Sequence, residues 1–112
     1  MILMKEWKNR TIDIFGIEWN IVFEDRIFLL DENNEESLVF GSTDHENHLV
    51  RVALHNSKGT RLSDSVITNV LYHELIHAIL QEGAYEETMN ESLVEYLAKG
   101  ISTLVKQKVI GG

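Results

Sequence analysis

The segment from Val66 to Leu80 constrains the fold of this chain more than any other stretch. Its apolar residues recur at helical spacing and predict a buried α-helix; they are Ile67, Leu71, Leu75, Ala78 and Ile79. A neighbouring stripe of the same helix carries the motif His73-Glu74-x-x-His77. Because four residues advance an α-helix by roughly 6 Å and about one turn, both imidazoles can reach one ion. Glu74 points off the line of the two ligands, where a base that acts on a metal-activated water has to stand.

The motif has a plainer alternative, in which His73 and His77 are core histidines satisfied by the protein beside a surface Glu74. Two imidazoles and a carboxylate on one buried helix need polar partners to offset their lost hydration. A catalytic zinc site, moreover, uses three protein ligands and leaves one position open. The motif therefore predicts a further acidic ligand elsewhere in the chain.

A second helix offers that ligand. Thirteen residues separate His77 from Glu91, which is enough to end one helix, turn and bring a second helix back antiparallel. We expect this helix to run from about Thr88 to Lys108 and Glu91 to be the third ligand. Glu95, one turn later, can accept the outer ring N–H of His73 and fix its tautomer. The alternatives are a solvated face that carries both glutamates, or an exchange of their roles. The predicted core stripe of this helix consists of Leu93, Leu97, Ile101, Leu104 and Val105.

The composition of the chain narrows the possible metal ligands and partners. The 112 residues suit one domain, and 44% apolar with 25% charged residues is ordinary for a globular protein. Without cysteine, any metal site has to use histidine, carboxylate and water. The net charge of −8 disfavours nucleic acid and anionic membranes as partners. The first residues lack a secretory or membrane-spanning pattern, so we expect a cytoplasmic protein, and its oligomeric state stays open.

The chain before the motif predicts strands. Residues 11–15 and 17–23 alternate around Gly16 and indicate a β-hairpin. The acidic residues 24–36 predict a solvated loop, with a secondary cation site as the alternative. Residues 38–41 and 48–54 predict two further strands.

The remaining histidines and the helix ends also carry predictions. His45 and His48 are expected to be exposed at a loop edge, whereas His55 is a candidate for a substrate-facing group. Thr60, Ser63 or Asp64 can cap the motif helix, and Gly83 is expected to end it.

These residues resemble the gluzincins, metallopeptidases with His-Glu-x-x-His on one helix and a glutamate ligand on a following helix. The run from Asn90 to Glu95 is similar to the thermolysin-type motif Asn-Glu-x-x-x-Asp, with Glu95 in place of the aspartate. The run from Glu91 to Ala98 loosely follows the Glu-x-x-Ala-Asn-x-Phe-Ala helix of ImmA/IrrE-like peptidases. The whole chain looks like very small, often phage-associated metallopeptidase-like proteins, and the strong match covers residues 66–98.

The resemblance implies a minimal zincin-like α+β domain, in which a small twisted mixed sheet of three to four strands packs on the motif helix and a C-terminal helix. It implies Zn²⁺ held by His73, His77 and Glu91, with Glu74 as general base and Glu95 behind a ligand. A protein or peptide substrate would pair with an edge strand, for which residues 49–54 are the candidate. The oxyanion donor expected in such enzymes would come from one of three residues: Tyr85, Tyr96 or His55.

The predicted function is thus a zinc-dependent peptidase with a narrow protein substrate. One alternative is a zinc-binding protein of the zincin fold that is non-catalytic or latent and acts as a regulatory or interaction partner in a mobile element. Another is a metal-free interaction protein, in which the histidine pair only packs in the core.

Overall fold

The computed structural model of the protein describes residues 6–107. Within this range it is an α+β fold in which a four-stranded mixed sheet and a two-stranded sheet precede two helices. The predicted general class and the number of strands in the main sheet are therefore confirmed. The elements, in chain order, are β1 (Arg10–Ile14), β2 (Ile17–Glu24), β3 (Ile27–Leu30), β4 (Glu36–Val39), β5 (Gly41–Asp44), β6 (Leu49–Ala53), α1 (Asp64–Glu82), a short 3₁₀ helix (Glu86–Met89) and α2 (Glu91–Lys106).

The main sheet has the strand order β1-β2-β6-β5. β1 and β2 form the predicted hairpin, β2 runs parallel to β6, and β5 runs antiparallel to β6. The hairpin turns at Phe15 and Gly16, whose φ angles of 52° and 85° lie in the left-handed region that glycine tolerates best. β5 is the last strand of this sheet, so one of its edges is free of strand pairing in the described part of the chain.

The prediction that residues 49–54 form the edge strand is wrong. β6 lies between β2 and β5, and three of its five residues, Val50, Val52 and Ala53, are buried. Such a nearly continuous apolar run is typical of a strand covered on both faces, which favours an interior position. The edge belongs instead to β5, whose polar sequence Gly-Ser-Thr-Asp suits a half-exposed rim.

The prediction of a loop over the acidic residues 24–36 is also wrong in part. Ile27–Leu30 forms β3 and pairs antiparallel with β4, so that Ile27 faces Val39 and Leu30 faces Glu36. The turn between them is organised by Asp31, whose carboxylate accepts hydrogen bonds from the main-chain N–H groups of Asn33 and Glu35. The predicted strand at 38–41 is accordingly divided between β4 and β5.

Two cores hold α1 in place. One lies between α1 and the main sheet and includes the fully buried Trp19, Val50 and Ile67. The other lies between α1 and α2, around Val94 and Ala98. Because α1 is covered on two sides, its apolar residues do not lie on one stripe.

The predicted core stripes are wrong at three positions. Ile79 on α1, and Leu97 and Leu104 on α2, are between 37% and 42% exposed. Ile76 and Ala98 are buried instead. Ala98 packs with Ile76 and Val94 between the two helices, on a face of α2 that Leu97 and Leu104 do not share.

The observed ends of α1 agree with the predicted ones, whereas the observed start of α2 differs from the prediction. Ser63 Oγ accepts a hydrogen bond from Val66 N at 3.2 Å, and Gly83 follows the last residue of α1, so both predictions are confirmed. α2 begins at Glu91 rather than at Thr88, which lies in the 3₁₀ helix, and its predicted end at Lys108 lies outside the described residues.

No helix in residues 6–107 combines the length and the apolar character that crossing a bilayer requires.

Candidate metal centre

The motif residues all lie on α1, which the sheet and α2 hold on two sides. His73 and His77 are one turn apart, and their side chains are 17% and 12% exposed. Their ring centroids are 5.0 Å apart. The helical spacing therefore brings both imidazoles to one face of α1, as the sequence predicts.

Glu91 is the first residue of α2, and the cap of that helix fixes its position. Asn90 precedes it as the N-cap, and the Asn90 side chain accepts a hydrogen bond from Leu93 N at 3.0 Å. The Glu91 carboxylate then reaches both rings of α1, with Oε2 2.9 Å from His73 Nε2 and Oε1 3.1 Å from His77 Nε2. The three predicted ligands thus converge on one point, and their ligand atoms lie within 4.8 Å of one another.

Glu95 lies behind His73, on the other side of its ring. Glu95 Oε2 is 2.7 Å from His73 Nδ1, and Glu95 Oε1 accepts a hydrogen bond from Asn69 Nδ2 at 2.8 Å. The hydrogen bond from Asn69, together with the one from His73, lowers the pKa of the Glu95 carboxyl group. The Glu95 carboxylate therefore accepts the Nδ1 proton of His73. Nε2 of His73 faces Glu91, and in the neutral tautomer its lone pair is available to a metal ion. Glu91 thus lies against Nε2 of both rings, and Glu95 lies behind His73.

Thr88 performs the equivalent task for His77, and the sequence did not reveal it. Thr88 Oγ1 lies 3.3 Å from the main-chain oxygen of His77, to which it donates, and 3.2 Å from His77 Nδ1. Since the hydroxyl proton is used on the carbonyl, the hydroxyl oxygen accepts the Nδ1 proton of His77. In that tautomer, Nε2 of His77 carries the lone pair that a metal ion between His77 and Glu91 would bind. Thr88 is 9% exposed and sits in the 3₁₀ helix, so no helical periodicity marks it.

His73 has an altered acidity in this arrangement. Burial by itself lowers the pKa of His73, but the hydrogen bonds to Glu95 and Glu91 outweigh it and raise the pKa above the ordinary value. The carboxylates around His73 therefore favour a cation at this position, whether it is a proton or a metal ion.

Glu74 lies on the side of α1 that faces β5 and is 9% exposed. Burial raises the pKa of Glu74, and a hydrogen bond from Thr43 partly offsets this effect. Thr43 Oγ1 lies 2.8 Å from Glu74 Oε1 and 3.0 Å from its main-chain oxygen. A carboxyl group with a raised pKa suits a residue that has to accept and then release a proton near neutral pH.

β5 comes unusually close to α1 next to Glu74. A Cβ atom at Gly41 would lie 2.7 Å from Val70 Cγ1 and 2.9 Å from Glu74 Cγ. Glycine is therefore needed at this position for the close approach of the strand. Neither Gly41 nor Thr43 was predicted from the sequence, because both contacts depend on how a strand packs against a helix 31 residues further along the chain.

A cleft of about 390 Å³ joins these features. Its volume lies within the range of small-ligand and substrate sites. One wall belongs to β5, and His73, Glu74 and His77 lie along the other. Further lining comes from four side chains that the sequence did not single out for the site: Leu29, Gln81, Thr88 and Met89.

The other predicted site residues lie elsewhere. His55 faces Asp25, with Nδ1 3.8 Å from Asp25 Oδ1, and neither His55 nor Tyr85 lines the cleft. Tyr96 lines a separate depression beside His73 and Glu91. His45 is exposed as predicted, whereas His48 is half-buried with its ring 5.1 Å from that of Trp19. His55, the candidate for a substrate-facing group, is therefore not part of this cleft.

The donor set can hold a metal ion. Two imidazole nitrogens and one carboxylate converge, and the outer nitrogen of each ring has an acceptor. Catalytic metal sites with three protein ligands use this combination of atoms, and such outer acceptors orient the ligands. The residues present therefore fit a bound divalent ion.

In the comparisons with known proteins, no protein-family model, curated protein or solved structure matches this chain. The function therefore has to be inferred from the geometry of the site.

Proposed function

We propose that the protein is a zinc-dependent peptidase of the gluzincin type, with a minimal zincin-like fold, which hydrolyses a peptide bond in a narrow protein substrate. One observation carries this proposal. His73, His77 and Glu91 converge on one point, and the buried Glu74 lies beside them in the same cleft. Two imidazoles and a carboxylate suit zinc among the divalent ions, although other transition metals accept the same ligands.

Each residue of the site has a different role in the proposed reaction. A zinc ion held by His73, His77 and Glu91 would supply a Lewis acid that polarises a carbonyl group and acidifies a water molecule. Glu74 accepts the proton of the attacking water and delivers it to the leaving amine. Its raised pKa suits both steps, because the carboxyl group has to hold the proton between them. Glu95 and Thr88 keep the two rings in the required tautomer.

The free edge of β5 supports a polypeptide as the substrate. Its main-chain groups lie along the cleft that contains Glu74, and an extended peptide can pair with such an edge through main-chain hydrogen bonds. That pairing would hold a scissile peptide bond alongside His73 and His77.

A zinc-binding regulatory or interaction protein without turnover is the second candidate, and the β3–β4 hairpin favours it. Phe28 and Leu30 alternate with the cleft-lining Leu29 and so project from the opposite face of β3, where they are 49% and 67% exposed. Exposed apolar side chains of this kind mark protein contact sites. The buried Glu74 favours the peptidase, because a zinc ion that only stabilises a fold needs no base beside it.

The experiment compares the zinc-loaded parent with Glu74→Gln and with Glu82→Gln as a matched control on the same helix. Glu82 accepts a hydrogen bond from the Trp19 indole, which glutamine can also accept. Each protein is incubated with a denatured cell extract whose amines have been blocked, and new N-termini are identified by mass spectrometry. We expect cleavage by the parent and by Glu82→Gln, and a loss of at least about a hundredfold in Glu74→Gln at equal zinc content.

The same experiment separates the candidates. Equal cleavage by Glu74→Gln and the parent would remove Glu74 as the base. No cleavage by a fully loaded parent would contradict the peptidase and favour the zinc-binding interaction protein.

A further inference from the structure

Gln81 is a cleft residue that the proposed chemistry leaves unexplained. It lies one turn beyond His77 on the same face of α1 and lines the cleft. Its Oε1 atom is shielded from solvent and has no hydrogen-bond partner among residues 6–107. An unpaired buried carbonyl oxygen is unfavourable, because it has given up hydrogen bonds to water without replacement. A methionine of similar length would fill this space without that cost, so packing alone does not account for the amide.

The direction of β5 shows which part of a substrate would meet Gln81. β5 runs alongside α1, since Gly41 at its start adjoins Val70 and Glu74, while His48, shortly after its end, lies 3.5 Å from Glu82. Gln81 therefore lies toward the end of β5, at roughly 6 Å of helix rise from His77. An extended chain advances about 3.3 Å per residue, so this distance corresponds to about two residues of a polypeptide paired with β5.

On the basis of the proposed peptidase function, we infer that Gln81 is a positioning residue whose carboxamide hydrogen-bonds the substrate main chain about two residues from the scissile bond. A carboxamide presents a donor and an acceptor side by side and so complements a peptide group, which does the same. Within the described part of the chain, no hydrogen bond holds Oε1 in its present position, so its acceptor capacity is available to a substrate N–H group. The substrate is then gripped on both sides, by the edge of β5 and by Gln81. A proline or an N-methylated residue at this position is disfavoured, because it lacks the N–H group.

The test uses hydroxamates, because their metal-binding group anchors them independently of Gln81. The probes are a hydroxamate-capped Leu-Ala amide, the same compound methylated at the alanine nitrogen, and acetohydroxamate, which has no peptide part. The proteins are the zinc-loaded parent, Gln81→Met and, as a matched control, Gln107→Met at the exposed end of α2. Dissociation constants are measured by calorimetry, and zinc content is measured on every sample.

We expect the parent and Gln107→Met to lose about tenfold in affinity when the peptide is N-methylated, as for the loss of one hydrogen bond. Gln81→Met should bind the unmethylated peptide about tenfold more weakly and lose almost nothing further on methylation, because the two changes remove the same interaction. Acetohydroxamate affinity and zinc content should be equal in all three proteins. The side-chain NH₂ signals of Gln81, assigned by their absence from the ¹H–¹⁵N spectrum of Gln81→Met, should shift when the unmethylated peptide is added.

Two results would overturn the inference and leave the proposed function intact. One is an equal cost of methylation in the parent and in Gln81→Met, and the other is an unchanged position of the Gln81 NH₂ signals on saturation with the peptide hydroxamate. If the parent takes up no zinc after incubation with it and binds none of the hydroxamates, the proposed function itself fails, and the inference fails with it.

Discussion

The two walls of the cleft are built on different principles. The helical wall presents side chains that can bind an ion or carry a proton. His73 and His77 share a face because an α-helix repeats every 3.6 residues, and the return of the chain into α2 brings Glu91 to the same point. The strand wall presents main-chain groups and the small residues Gly41 and Thr43 of β5. The pairing of the two histidines therefore depends on local spacing, whereas the position of Glu91 and the shape of the cleft depend on how distant parts of the chain pack. Mutations in the two walls should have separable effects.

The largest expected effect is on the helical wall, in Glu91→Ala. We expect the zinc dissociation constant to rise by more than about a hundredfold, because losing an outer partner of a ligand already costs roughly 10–100-fold. The side chain of Glu91 is 69% exposed, so the fold should survive the change. Competition with a chromophoric chelator measures the affinity, and circular dichroism checks the fold. Unchanged zinc affinity would remove Glu91 from the ligands.

Glu95→Gln should have a smaller effect on the same wall. Both Glu95 oxygens accept hydrogen bonds, one from Asn69 and one from His73, and a glutamine has one acceptor oxygen for the two donors. We expect zinc affinity to fall by roughly 10–100-fold while all three ligands remain. The same competition assay measures it, with the exposed Glu86 of the 3₁₀ helix changed to glutamine, Glu86→Gln, as the control. An effect as large as that of Glu91→Ala would mean that the roles of the two glutamates are exchanged.

Gly41→Ala tests the strand wall and should change stability rather than zinc binding. The added methyl group would lie 2.7 Å from Val70 Cγ1, and overpacking of this kind costs about 1–3 kcal/mol in the free energy of unfolding. The matched control is Gly100→Ala on α2, where a Cβ atom meets nothing within 4 Å. It should stabilise the protein by about 0.5–1 kcal/mol through helix propensity.

Urea unfolding of the metal-free proteins measures both changes, and zinc titration of each variant completes the comparison. An unchanged stability of Gly41→Ala would show that β5 does not approach α1 this closely. A large loss of zinc affinity in the same variant would contradict the separation of the two walls.

The helical wall was largely predictable from the sequence. The apolar residues of α1, the cap at Ser63 and the stop at Gly83 are all local signals, and they fix the frame in which His73 and His77 share a face. The distance along the chain to Glu91 then suffices for an antiparallel return. The contact of Thr88 with His77 could not be predicted, because a hydroxyl group beside a histidine follows no spacing rule and because the 3₁₀ helix interrupts the helical periodicity.

The strand wall could not be predicted in the same way. β2 and β6 pair in parallel, with β3, β4 and β5 between them in the chain, and local spacing does not predict such a pairing. The apolar run of β3, Ile-Phe-Leu-Leu, is a strand signal, but it lies among acidic residues that favour a loop. The acidic residues made the short strand β3 hard to recognise in the sequence. Four of them flank the turn at Asn33 and Asn34, and they do not form a long loop. Edge and interior positions follow from pairing across the sheet, which is a property of the whole fold.

The most direct test of the central claim is the metal content of the purified protein, measured by elemental analysis on the parent, on His77→Ala and on His45→Ala. His45 is exposed and lies outside the cluster, so its removal controls for the loss of a histidine. After incubation with zinc and removal of the excess, we expect about one zinc per chain in the parent and in His45→Ala, and none in His77→Ala. Zinc absent from the parent, or present equally in His77→Ala, would contradict the metal centre and the function proposed for it.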